Sequence, residues 1–106
     1  MPKYLFTGSY STEGLKGLIS DGGTKRREVA KKAVESVGGR LEAFYFAFGD
    51  TDVVGIADLP DNVSVAAISL AISATGAFSF KTTVLLTAEE MDEATRKEIT
   101  YRPPGQ

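Results

Sequence analysis

An α+β fold of order βαββαβ, with an antiparallel four-stranded sheet and an extra C-terminal helix, is predicted for this chain by three observations. Residues 40 to 59, RLEAFYFAFGDTDVVGIADL, are two apolar runs rich in aromatic and β-branched side chains, joined by Gly49-Asp50-Thr51-Asp52, which is the signal of a β-hairpin. On each side of that hairpin the apolar period changes between about 3.6 and about two, so a helix and then a strand flank it in both directions. The length, 106 residues, suits one domain of ordinary size and excludes a second. The domain is expected over residues 1–99, with residues 100–106 as a loose tail.

The first strand is expected at 3–10, KYLFTGSY, where Tyr4, Phe6, Gly8 and Tyr10 alternate with Leu5, Thr7 and Ser9 and so take opposite faces of a sheet. A helix is expected over 12–37. Ser11 or Thr12 would cap it, and Glu13 suits the positive end of its dipole. Asp21-Gly22-Gly23 interrupts the pattern and Thr24 offers a second cap. Even so, Leu15, Ile19, Val29, Ala33 and Val37 step by four and three and would share one face of a single kinked helix, which Gly38-Gly39 would end. Lys25, Arg26, Arg27, Lys31 and Lys32 form the one local basic cluster. They read either as a solvated helix face or, through Lys25 and Arg26 at a helix start, as an anion site.

The hairpin strands are expected at 40–48 and 52–59. Glu42, Phe44, Phe46 and Phe48 alternate with Leu41, Ala43, Tyr45 and Ala47, so both faces carry bulk. A sheet packed by helices on one side normally shows a polar second face, so the second face is expected to be covered by another subunit. Asp52, which opens the third strand, is expected to accept backbone N–H groups in the turn. The helix expected at 63–75 is apolar almost all round, which implies burial on more than one side. In the strand expected at 77–86, Phe78 and Phe80 alternate with Ser79 and Lys81. Lys81 reads as a guard against edge pairing or as a ligand counter-ion. Thr87-Ala88-Glu89-Glu90 is a capping box for a helix over 88–98, and Pro103-Pro104 closes the tail.

Composition excludes more than it assigns. Twelve basic and fourteen acidic residues leave a net charge of −2, mostly interspersed, which gives no electrostatic reason to bind nucleic acid. The chain has no Cys and no His, which removes disulfides, thiol catalysis, imidazole bases and haem ligation. The charge-free run 62–80 carries too many Ser, Thr and Asn residues, and ends too strand-like, to be a membrane span. Asp50, Asp52, Asp58 and Asp61 lack the spacing of a cation loop and read as turn formers and helix caps. No cofactor, metal, nucleic acid or membrane partner is expected. MPKYLF shows no leader, and a cytoplasmic location is expected.

From KYLFTGSY through GGTKRREVAKKAVESVGG to AFYFAFGDTDVV and KTTVLL, the chain resembles proteins of the GYD-domain family over nearly its whole length. The resemblance implies a ferredoxin-like plait of the dimeric α/β-barrel type that oligomerises through its sheet, in a family without an established activity. Thr51 stands between Gly49 and Asp52 where the family's Gly-Tyr-Asp motif would place its tyrosine. The shorter segment GDTDVVGIADLPD is also similar to the hairpin of effector domains in leucine-responsive and asparagine-responsive transcription regulators, where such loops help to bind amino acids at subunit interfaces.

Two functions are therefore expected to compete. The first is an oligomeric small-molecule-binding or regulatory module whose ligand would lie between sheets or near the turn of Asp50 and Asp52, with candidate ligand-binding residues Tyr4, Phe6, Phe44, Phe46, Asp50, Asp52, Phe80 and Lys81. The second is a cofactor-independent enzyme acting on a small aromatic or acidic substrate, held in an apolar chamber of Tyr4, Phe6, Phe44, Phe46 and Phe80. Asp52 or Glu42, desolvated among rings, would be its base. No nucleophile and base pair is recognisable by spacing, so catalysis is the less favoured expectation.

Overall fold

The structure, a computed structural model, describes residues 1–106. Along the chain run β1 (Lys3–Tyr10), α1 (Thr12–Asp21), α2 (Gly23–Glu35), β2 (Arg40–Phe46), β3 (Val53–Asp58), α3 (Asn62–Ser73), β4 (Phe78–Leu85) and α4 (Ala88–Thr95). The strands form one antiparallel sheet of order β2-β3-β1-β4, an α+β arrangement consistent with a ferredoxin-like plait. No helix is long and apolar enough to cross a membrane.

The caps follow from the sequence. Ser11 Oγ accepts the Gly14 N–H at 3.1 Å, and the Ser11 N–H reaches the Ala77 carbonyl at 2.9 Å, which pins the start of α1 to the start of β4. Gly14 lies so close to that carbonyl that a Cβ there would stand 2.1 Å from its oxygen. Asp61 caps α3 by accepting the Ser64 N–H at 2.8 Å. Thr87 and Glu90 form the reciprocal capping box that their spacing predicts.

Two expectations are corrected. The single helix over 12–37 is two helices, because Gly22 takes φ +81° and ψ 164°, an extended mirror-image conformation that resets the helical phase. Gly22 itself stands at the cap of α2 without a side-chain bond, so Thr24 is not a cap. The face is consequently kept only in part: in α1 Ile19 is 84 % exposed and Leu15 is exposed too, whereas in α2 Ala30, Ala33 and Val34, which share the expected face, turn toward the sheet with Val29 at its border, and Val37 packs beside Val34. The second correction concerns β2, which stops at Phe46 and carries a β-bulge between Leu41 and Ala43. The bulge shifts the alternation by one, so Leu41 and Phe44 share a face although their spacing is odd.

That shift decides which side the rings take. Tyr4 pairs across the sheet with Ala57 and Val84, Phe6 with Gly55, and Gly8 with Val53 and Phe80, while Phe44 stands opposite Gly55. These residues form the face beneath the helices. The expected aromatic second face is therefore the helix-covered one. The open face carries Leu5, Ala43, Tyr45, Val54 and Ile56, and at one end the ion pairs of Lys3 with Glu42 (2.7 Å) and Asp58 (2.9 Å) and of Arg40 with Asp58 (3.1 Å).

Tyr4, Val34, Ala57, Leu59, Val65 and Ile68 make the buried core, with Phe6, Val37, Leu41 and Ile72 packed against it. This core sits at one end of the strands, where the Tyr4 hydroxyl donates to Asn62 Oδ1 at 2.7 Å. α3 turns Val65 and Ile68 inward and leaves Val63 and Leu70 exposed, so it is buried on one side within this chain.

Candidate functional site

The other end of the sheet is not filled. There the helices approach with small side chains: Gly14 and Gly17 on α1, Ala30 and Ala33 on α2, and Ala71 on α3. The strands opposite carry rings, namely Phe6 and Tyr10 on β1, Phe44 on β2, and Phe78 and Phe80 on β4. These small residues stand among the larger Leu18, Val29, Ile68 and Ile72 and keep the helices from filling the space above the rings, and a cavity of about 370 Å³ lies between the layers. Its size is that of a small-ligand pocket, and its wall is predominantly apolar.

The rings hold one another in place. Phe6 meets Phe80 edge to face at 5.7 Å between centroids, Tyr10 meets Phe78 at 4.8 Å, and Phe44 meets Phe46 at 5.3 Å. Such pairs stabilise by about 0.5 to 1.5 kcal/mol beyond burial and limit how far the wall can collapse. Polar character enters at the rim. Arg26 and Asp21 both line the cavity, with Arg26 Nη1 3.5 Å from Asp21 Oδ2, while Lys25 reaches the same carboxylate from outside at 3.8 Å. A guanidinium in so loose a pair keeps donors free for a ligand carboxylate.

The predicted site residues divide into three groups. Phe6, Phe44 and Phe80 come together as cavity wall. Tyr4 belongs to the core beside them, with its ring 6.5 Å from that of Phe6, and Phe46 lies outside the cavity with its ring against Gly23. Asp50, Asp52 and Lys81 lie elsewhere. Asp50 is in the exposed hairpin turn, and Lys81, opposite Thr7, projects from the open face of the edge strand β4.

Asp52 is occupied in joining strands. Its Oδ2 accepts the Tyr10 N–H at 3.0 Å, its N–H donates to the Gly8 carbonyl at 2.8 Å, and its carbonyl accepts from Ala47 at 2.9 Å. Glu42 is tied to Lys3 on the open face. Neither carboxylate lines the cavity. Asp58 is held below its ordinary value of 3.8, chiefly by the hydrogen bond from Lys3 and further by Arg40, against the opposing effect of burial. Lys3 is correspondingly held above 10.5 by its bonds to Glu42 and Asp58.

Sequence reasoning missed Tyr10, Phe78, Asp21 and the small helix residues as site components. A usable signal was present in Gly14, Gly17, Ala30 and Ala33, which are small residues on the helix segments that must cover ring-bearing strands. A family model described as a GYD domain matches residues 4–95 of the chain. No curated protein and no solved structure matches it.

Proposed function

This chain belongs to the GYD-domain family, and from that premise we propose that it is an oligomeric module that binds a small, largely apolar molecule in the cavity between sheet and helices. The observation that carries this reading is the meeting of a ring-lined gap of about 370 Å³ with one guanidinium at its rim. Apolar walls favour an aromatic or branched carbon skeleton, and Arg26 favours a carboxylate attached to it. A second copy of the chain covers the open face of the sheet, where Tyr45 is 69 % exposed beside Val54 and Ile56. The location is cytoplasmic. No observation favours the enzymatic reading, since Asp52 and Glu42 stand outside the cavity.

A thermal-shift screen of aromatic acids and amino acids tests the binding, because a ligand of the folded state raises Tm by mass action. Phenylacetate should raise it more than phenylacetamide, and Arg26→Gln should remove the difference. Ala33→Leu, which fills the gap, should abolish the response while preserving the fold. A response that survives in Ala33→Leu would place the ligand elsewhere and sink the reading.

A further inference from the structure

The last 21 residues have no partner within their own chain. Every residue from Leu86 to Gln106 is exposed, including Met91, Ile99 and Tyr101. A free helix of eight residues is marginal in water, so α4 needs a surface to lie on. Its charge says which. α4 carries Glu89, Glu90, Asp92 and Glu93 and no cation, and none of the four is in an ion pair. On α2, Lys25, Arg26, Arg27, Lys31 and Lys32 stand against Glu28 and Glu35. The carboxylates within reach engage Lys25, Arg26 and Arg27, at 3.5 to 3.8 Å, and leave Lys31 and Lys32 without a partner.

The arm does not meet the α2 of its own chain. It leaves from β4, whereas α2 packs on β2, and the sheet order puts these strands at opposite edges. Three strand spacings separate them, about 14 Å. We infer that the C-terminal arm crosses to a second copy of the chain and lays acidic α4 on the basic outer face of the partner's α2, with Lys31 and Lys32 facing the α4 carboxylates. By two-fold symmetry each copy gives an arm and receives one. The contact rests on the dimer proposed above and adds a second, salt-sensitive attachment to it.

Sedimentation of the full chain, of a chain ending at Leu86, and of charge variants tests this. Removing the arm should leave the circular-dichroism signature of the remaining fold intact and raise the dimer dissociation constant about tenfold. Lys31→Glu with Lys32→Glu should do the same, as should Glu89→Lys with Glu93→Lys, and combining all four should restore the native constant. A truncated chain that dimerises as tightly as the full one overturns the arm contact and leaves the sheet dimer standing. Loss on truncation without rescue in the four-fold variant overturns α2 as the receiving surface. A full chain that sediments as a monomer at tens of micromolar overturns the arm contact and the dimer together.

Discussion

Asp52 is engaged in the fold itself: its carboxylate extends the pairing of β1 beyond Gly8 by taking the Tyr10 N–H. Asp52→Ala should therefore cost about 1 to 2 kcal/mol in denaturant unfolding by orphaning that donor. Asp52→Asn keeps an acceptor, should lose less, and should leave any ligand response intact. Asp58 supplies a pH test. Its folded value lies below the ordinary 3.8, so its stabilising effect is fully present above that pH and is lost as pH falls through the lowered value. The gap in Tm between the native chain and Asp58→Asn should be constant from pH 5 to 7 and should narrow below about pH 4. A gap that widened in acid would contradict the assignment. Single-residue roles with short-range causes were legible beforehand, such as Thr87 with Glu90 as a box; Asp52 was expected to accept N–H groups within its own turn and instead accepts that of Tyr10, 42 positions away on β1, which no local pattern announces. Asp21 was not legible either, because its partners Lys25 and Arg26 matter only once a cavity lies behind them.

Among the elements, β1, β3 and β4 were readable from period and α3 from its charge-free apolar run, although not which of its sides meets the core, while the helix between β1 and β2 was misread as continuous. The positions after Gly22 keep a helical spacing with those before it, and spacing carries no information about a φ of +81°. That conformation is close to unavailable to residues with a Cβ. Gly22→Ala should thus destabilise by about 1 to 3 kcal/mol in urea unfolding. Recovery of native stability in that variant would mean that α1 and α2 can run on as one helix. The bulge at Leu41/Ala43 escaped prediction for a similar reason, since both faces of β2 carry bulk and the pattern suits either register. Its effect is large: it moves Phe44 to the cavity face and Tyr45 to the open face.

At the scale of the whole molecule, the order of elements along the chain and the four-stranded antiparallel sheet were legible, whereas the cavity was not. A void is a difference between side-chain sizes on elements distant in sequence, and it exists only once α1, α2 and α3 are placed over β1, β2 and β4. The uneven filling of the interlayer space has a dynamic consequence. The strands are backed by a packed core at the Tyr4, Ala57 and Leu59 end and by the cavity at the Tyr10 and Phe78 end, where only edge hydrogen bonds and ring pairs hold them, so the sheet should open first from the latter. Amide hydrogen exchange should proceed sooner at Ser9 and Tyr10 than at Tyr4 and Leu5 within the same strand, although both pairs lie in regular pairing with β4. A uniform rate along β1 would contradict this. If it holds, occupying the void would do more than add affinity: it would close the breathing end of the fold, and the chain would report its ligand as a change in its own rigidity.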